Sequence, residues 1–318
     1  MKQIKLFLMS LMLIILAACG NGGMTNDTDV NDNTNTSQQE KVAAFPVTIT
    51  DGTDKEIIIE KQPEKIISLM PSNTEILYAL GVGENMIGVS DADNYPEEVN
   101  KLEDMATNLE LNVEKIVAAE PDLVLIHMSS FFMWEQGLKQ IEENGITVVV
   151  VPDASTFDQV YETIELIGQV VGKTVDAENI IAKMKSDLQA IEDQAKEIKE
   201  TKSVFVEISP APEIYSTGTG TFMNEMLQVI QAKNVVEEEG WPLMNEEAII
   251  DLNPDVILTQ YGPGAKDAVL ERSGWEEVTA IKEQQVFEVN EDLVSRPGPR
   301  IIEGVEELAK AIYPETFK

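Results

Sequence analysis

Few side chains in this sequence have both the type and the setting that chemistry requires. His127 is the only histidine and Cys19 the only cysteine. A lone imidazole with no evident carboxylate partner in the sequence cannot build a zinc or manganese site by itself, and a single thiol excludes an internal disulfide. No G-x-S-x-G elbow accompanies His127, which argues against a hydrolase. STGTG, Ser216 to Gly220, has the look of a phosphate loop but lacks its lysine, and is read as a turn at a strand end. What remains suits binding better than catalysis. Trp241 sits beside Pro242 in a glutamate-rich surround where an uncovered indole is costly, and the aromatic cluster Phe131 to Trp134 is either core or pocket wall. Arg272, Arg296 and Arg300 are the only arginines.

The amino terminus carries chemistry of another kind. Lys2 and Lys5 precede an uncharged run, Leu6 to Ala18, that is too short to span a bilayer core of ~20 apolar residues. It reads as a secretory signal peptide over 1–18. The ending Leu-Ala-Ala-Cys resembles a bacterial lipobox, which would place two acyl chains on Cys19 and hold the protein at a membrane surface, anchored without crossing it. Residues 19–44 are polar, without apolar periodicity, and read as a tether. The net charge of −34 becomes −36 when Lys2 and Lys5 depart, which disfavours nucleic acid and bare anions as partners and favours a basic protein surface.

Something must position the aromatic and charged candidates, and the chain repeats the unit that does so. NVEKIVAAEPDLVLI, Asn112 to Ile126, returns as NEEAIIDLNPDVILT, Asn245 to Thr259, at an offset of 133 residues. Each copy predicts a helix ended by proline and then a short apolar strand. Runs such as IISLM, MIGVS, ITVVVV, SVFVEI and QVFEV, separated by helical segments, predict parallel strands covered on both faces. Between the halves, Ile180, Ile181, Met184, Leu188 and Ile191 are spaced for one long amphipathic helix over 175–202, roughly 40 Å at 1.5 Å per residue. The fold expected is α/β: two Rossmann-like lobes, 45–174 and 203–318, bridged by one rigid helix. In such sheets ligands bind beyond the carboxyl ends of the strands. His127 and its counterpart Gln260 should therefore face a cleft, with Glu114 and Glu247 at helix starts on the same side. Each glutamate would also favour the positive end of its helix by ~0.3–1 kcal/mol.

From about Glu64 to Ile312 the chain resembles the helical-backbone (class III) solute-binding proteins of ABC importers, which carry cobalamin, ferric siderophores or haem. SLMPSNTEILYALGVGENMIGVSDADNYPEEV, NVEKIVAAEPDLVL, WPLMNEEAIIDLNPDVIL and SRPGPRIIEGVEEL carry that resemblance, which is nearest to the vitamin B12-binding members. It implies a monomeric, non-enzymatic lipoprotein without a resident cofactor, gripping a cobalamin-type corrinoid or, as the alternative, a ferric siderophore between its lobes. It implies that Trp241 packs on the corrin and that Asp292, Arg296 and Tyr215 line the pocket. Ala92, Asn108 and His127 stand where those members have aromatic residues, leaving Phe131, Phe132 or Trp134 to restore the wall and His127 as a candidate axial ligand. It also assigns Glu114 and Glu247, one per lobe, to docking on a permease dimer that presents basic residues.

Overall fold

A computed structural model describes residues 45–107 and 109–318. Cys19, the signal peptide, the tether and Asn108 lie outside the described residues. The chain enters through an antiparallel hairpin of Val47–Thr50 (β1) and Glu56–Ile59 (β2), whose inward isoleucines join the core. The amino-terminal lobe then alternates strand and helix: Ile66–Ser68 (β3), Pro71–Ala79 (α1), Met86–Ser90 (β4), Glu103–Ala106 (β5), Val113–Ala119 (α2), Leu123–His127 (β6), Met128–Glu143 (α3), Thr147–Val151 (β7) and Phe157–Val170 (α4). Its five strands are parallel, in the order β5-β4-β3-β6-β7. Leu123 to Ile126 are fully buried, as uniform apolar runs in a doubly covered sheet must be.

Thr174–Ala195 (α5) is the connecting helix. It ends seven residues earlier than its periodicity suggested, because the apolar stripe stops at the buried Ala195 and the polar residues beyond form a turn. The carboxyl-terminal lobe contains Ser203–Glu207 (β8), Ile214–Tyr215 (β9), Phe222–Val229 (α6), Lys233–Asn234 (β10), Leu243–Met244 (β11), Glu246–Leu252 (α7), Val256–Thr259 (β12), Ala265–Leu270 (α8), Thr279–Lys282 (α9), Val286–Glu288 (β13), Glu291–Ser295 (α10) and Ile301–Ile312 (α11). Its main sheet is again parallel, β10-β8-β12-β13.

The duplicated unit has the same structure twice. Asn112 Oδ1 accepts from Lys115 N at 3.0 Å and Asn245 Oδ1 from Ala248 N at 2.8 Å, so each copy caps its own helix. Glu120 (φ 49°) and Asn253 (φ 44°) end the helices in the left-handed conformation. The aspartate after each proline then ties the incoming strand to its neighbour. Asp122 Oδ2 accepts from Glu64 N at 3.0 Å and Lys65 N at 3.1 Å, just ahead of β3, and Asp255 Oδ2 accepts from Ser203 N and Oγ at 2.8 and 2.7 Å at the start of β8.

Each sheet has an outer core of its own, under α2 and α3 in one lobe and α7, α8 and α9 in the other. The inner faces share one continuous core running through α1, α4, α5, α6 and α11. Both lobes belong to one compact unit. A shared core and a helical connector resist hinge opening, because separating the lobes would expose apolar surface at about 25 cal/mol per Å².

Candidate functional site

The carboxyl ends of both parallel sheets point at a cleft of about 580 Å³. From the first lobe it receives His127 at the end of β6, and Asp153, Ala154 and Ser155 after β7. From the second it receives Ile208 after β8, Thr217, Phe222 and Met223 around the start of α6, Trp241, Gln260 after β12, and Glu291, Val294, Ser295 and Pro297. His127 and Gln260, equivalent in the repeat, therefore face the same space from opposite lobes.

Trp241 is exposed, at 57%, yet its backbone is fixed. The loop that carries it pairs with the STGTG segment: Ser216 N donates to Pro242 O at 3.0 Å, Gly218 N to Gly240 O at 2.8 Å, and Gly240 N to Thr219 O at 2.9 Å. The glycine at 218 serves that approach, since a Cβ there would collide with the Glu238 carbonyl oxygen. Thr221 closes the segment by capping α6 through Asn224 N. An indole held on a rigid backbone and left open to solvent is suited to stack on a flat or apolar ligand.

His127 is mostly buried. Its Nδ1 lies 2.9 Å from Ser129 Oγ, 3.3 Å from Ser129 N and 3.4 Å from Asp153 Oδ1. Burial lowers its pKa and the Asp153 carboxylate raises it, with a net shift downward, so the ring is neutral at neutral pH. Nδ1 accepts from Ser129 N and so caps α3, which leaves the ring proton on Nε2; coordinating a metal carried by a ligand through Nε2 would require the other tautomer, with Nδ1–H donating to Asp153 or Ser129 Oγ and that cap given up. Among the described residues no group of three His, Cys, Asp or Glu side chains converges to hold an ion.

Cations are missing from the lining of the cleft among the described residues. All three arginines are committed elsewhere. Arg272 grips the fully buried Glu207 with two bonds of 2.8 and 2.7 Å and stacks over Trp275, and Tyr261 Oη donates to the same carboxylate at 2.6 Å. Arg296 and Arg300 both reach Glu75 Oε1 on α1, at 3.0 and 3.1 Å, crossing from one lobe to the other. Arg296 also donates to Asn94 Oδ1 at 2.7 Å and pairs with Asp292 Oδ1 at 2.6 Å, while Asn94 Nδ2 donates to Asp292 Oδ2 at 2.8 Å. Arg300 lies 3.8 Å over the Tyr95 ring. Glu75 is 3% exposed, and burial raises its pKa more than the two guanidinium groups lower it. Elsewhere a bond between lobes runs from Phe157 N at the start of α4 to Glu225 Oε2 on α6, 2.6 Å, beside the Phe157–Phe222 ring pair at 5.0 Å.

Of the residues singled out in the sequence, the structure brings His127 and Trp241 together in the cleft. Asp292 and Arg296 stand beside it, joined to the other lobe. Tyr215 lies on β9, paired with Leu243, and does not line the cleft. Trp134 is a core residue under the outer face of the first sheet, because α3 begins at Met128 and its helical period turns position 134 inward with Leu138 and Ile141. The same period leaves Phe132 76% exposed and outside the lining. Glu114 and Glu247 are exposed at the second position of α2 and α7. Asp153 and Glu291 are not among the candidates read from the sequence, and Thr217 is there only as part of the STGTG turn. Asp153, which follows directly on the ITVVVVP strand ending, carried the one signal that was readable.

The model of the periplasmic binding protein family matches residues 66–293 of this chain. An uncharacterised ABC transporter substrate-binding lipoprotein of Bacillus subtilis, YvrC, is 49% identical over 308 residues, covering 96% of this chain and 95% of that one. A cobalamin-binding protein of Halobacterium salinarum is 26% identical over 290 residues, 87% of this chain and 77% of the other. A solved structure, described as a possible iron-binding (periplasmic solute-binding) protein of Staphylococcus epidermidis, is 37% identical, with a TM-score of 0.73 over 80% of this chain and all of that one, 100%.

Proposed function

We propose that this chain, which belongs to the periplasmic binding protein family, serves an ABC importer by capturing a cobalamin-type corrinoid in the cleft between its lobes. It is a binding protein of the cobalamin, siderophore and haem type, in a family of solute carriers rather than enzymes. The observation that carries the corrinoid reading is the lining of the cleft. It combines an open tryptophan face, a neutral histidine and apolar walls with the acidic Asp153 and Glu291, and no lysine or arginine belongs to it among the described residues. A bulky, uncharged chelate rich in amides suits such a surface. An anionic ligand would leave bulk water for a site that offers no countercharge, and a charge buried unpaired is penalised by several kcal/mol. The relative named for cobalamin supports the same reading.

His127 is the axial candidate: in the tautomer with its proton on Nδ1, beside Asp153, Nε2 would be the ligand to a central cobalt. Arg296 and Asp292 serve the joint between the lobes in this reading, and contact ligand only at its rim. Cys19 carries the lipid that keeps the protein on the outer face of a membrane, and Glu114 and Glu247 present one carboxylate per lobe to a two-fold permease. Reversing both glutamates to Arg should leave ligand affinity intact and stop uptake; unimpaired uptake by that variant would refute the docking role.

A ferric siderophore is the second reading, supported by the solved relative described as possibly iron-binding. Absorbance titration with cyanocobalamin, haemin and a panel of anionic and uncharged ferric siderophores separates the two. Saturable binding of cyanocobalamin is expected, and saturable binding of an anionic siderophore without it would overturn the corrinoid reading.

A further inference from the structure

Gln260 is the one residue lining the cleft that has a buried side-chain polar atom with no hydrogen-bond partner among the described residues. The residue is only 7% exposed, and the orphan atom is the acceptor Oε1. Its position is well determined. The backbone N–H of Gln260 donates to Glu207 O at 3.4 Å, and the next residue, Tyr261, is pinned through its hydroxyl to the carboxylate that Arg272 also grips. A buried acceptor without a donor is costly, so a ligand that supplies an N–H or O–H at this point gains affinity that others do not.

The groups around it narrow the choice of donor. Asp153 and Glu291 also line the cleft, so a carboxylate on the ligand would meet two like charges and an acceptor oxygen, with no cation in the lining and Arg296, beside it, already paired with Glu75 and Asp292. A primary carboxamide meets the requirement at both ends. Its N–H donates to Oε1, and its carbonyl can accept from Nε2 on the same planar amide of Gln260. We infer that Gln260 reads a peripheral carboxamide of the bound ligand, so that the chain selects fully amidated corrinoids over corrinoids whose side chains end in carboxylates. The inference rests on the corrinoid reading and sharpens it. The two equivalent strand ends would then divide the work, His127 toward the metal and Gln260 toward the periphery of the ring.

The test compares dissociation constants of the full chain for cyanocobalamin and for its derivative with peripheral carboxamides hydrolysed to carboxylates. The wild-type chain, Gln260→Met and Gln260→Glu are each measured, with melting temperatures to establish that the variants are folded. The wild type should favour the amide form by on the order of tenfold, the worth of one hydrogen bond that a competitor cannot make. Gln260→Met should weaken the amide form and reduce the preference to about threefold or less. Gln260→Glu, which can still accept from an amide but adds repulsion toward a carboxylate, should keep or enlarge it. Equal affinity of the wild type for the two forms, or equal loss of both ligands in Gln260→Met, would overturn the inference while leaving corrinoid binding in place. Failure of the wild type to bind either form would overturn both together.

Discussion

The two lobes are built from the same fifteen-residue unit and diverge at the residue that follows it, His127 in one and Gln260 in the other. Up to that point the match is close: an asparagine cap, a left-handed helix end, a proline, and an aspartate that ties the strand to its neighbour. Past it, the first lobe offers His127 and the second Gln260, and only the second carries the open tryptophan platform. The repeated part secures the fold of each lobe, and the unrepeated part distinguishes the two walls of the cleft. Charge follows the same division. The arginines are spent in the second lobe and across the joint on Glu207 and Glu75, which leaves the cleft acidic.

If that division is right, variants in the joint should cost stability, variants in the cleft should cost affinity, and variants in the repeated unit should cost the two lobes alike. The largest effect is expected from Glu75→Ala, which leaves Arg300 without a carboxylate at a largely buried joint and Arg296 with Asp292 alone, and should destabilise the protein by about 3 kcal/mol in denaturant titration. Arg296→Ala should likewise lower stability more than affinity; the reverse ranking would place Arg296 in the ligand site. Trp241→Ala should weaken ligand binding by about 1–4 kcal/mol with little change in melting temperature, and a matching loss of stability would show that the indole is structural.

Asp122→Ala and Asp255→Ala should each cost about 1–3 kcal/mol of stability, because each leaves strand-edge donors without their acceptor. Similar losses in both would uphold the equivalence of the lobes, and a large loss in one alone would break it. The smallest effect concerns pH. His127 has its folded pKa lowered, so between that value and the unfolded value of ~6.5 the unfolded chain binds a proton that the folded chain does not. Its contribution is present in full above ~6.5 and is lost as the pH falls through that window. His127→Gln should flatten the slope of stability against pH there.

The sequence was most informative where one element imposes a strict pattern on its residues. Uniform apolar runs mark the parallel strands, and the offset repeat places His127 and Gln260 on facing edges. Less was readable where three-dimensional pairing decides. The helix from Phe157 to Val170 has a strong apolar face and its own cap at Thr156, yet it lies between two segments read as strand and linker and was missed. Trp134 looked like pocket wall because an aromatic after a strand end often is; the early start of α3 turned it into the core. Arg296 was expected in the pocket, as the resemblance implies. Its partner Glu75 lies 221 residues away in sequence, and nothing local announces that pair.

The most direct test of the division is calorimetric titration of the full chain with cyanocobalamin, beside Trp241→Ala and Glu75→Gln. The expected result is one-to-one binding by the wild type, a large loss of affinity in Trp241→Ala at unchanged melting temperature, and near-normal affinity in Glu75→Gln at reduced melting temperature. Wild-type affinity retained in Trp241→Ala, together with binding abolished in a folded Glu75→Gln, would put the ligand at the joint and contradict the assignment of the cleft.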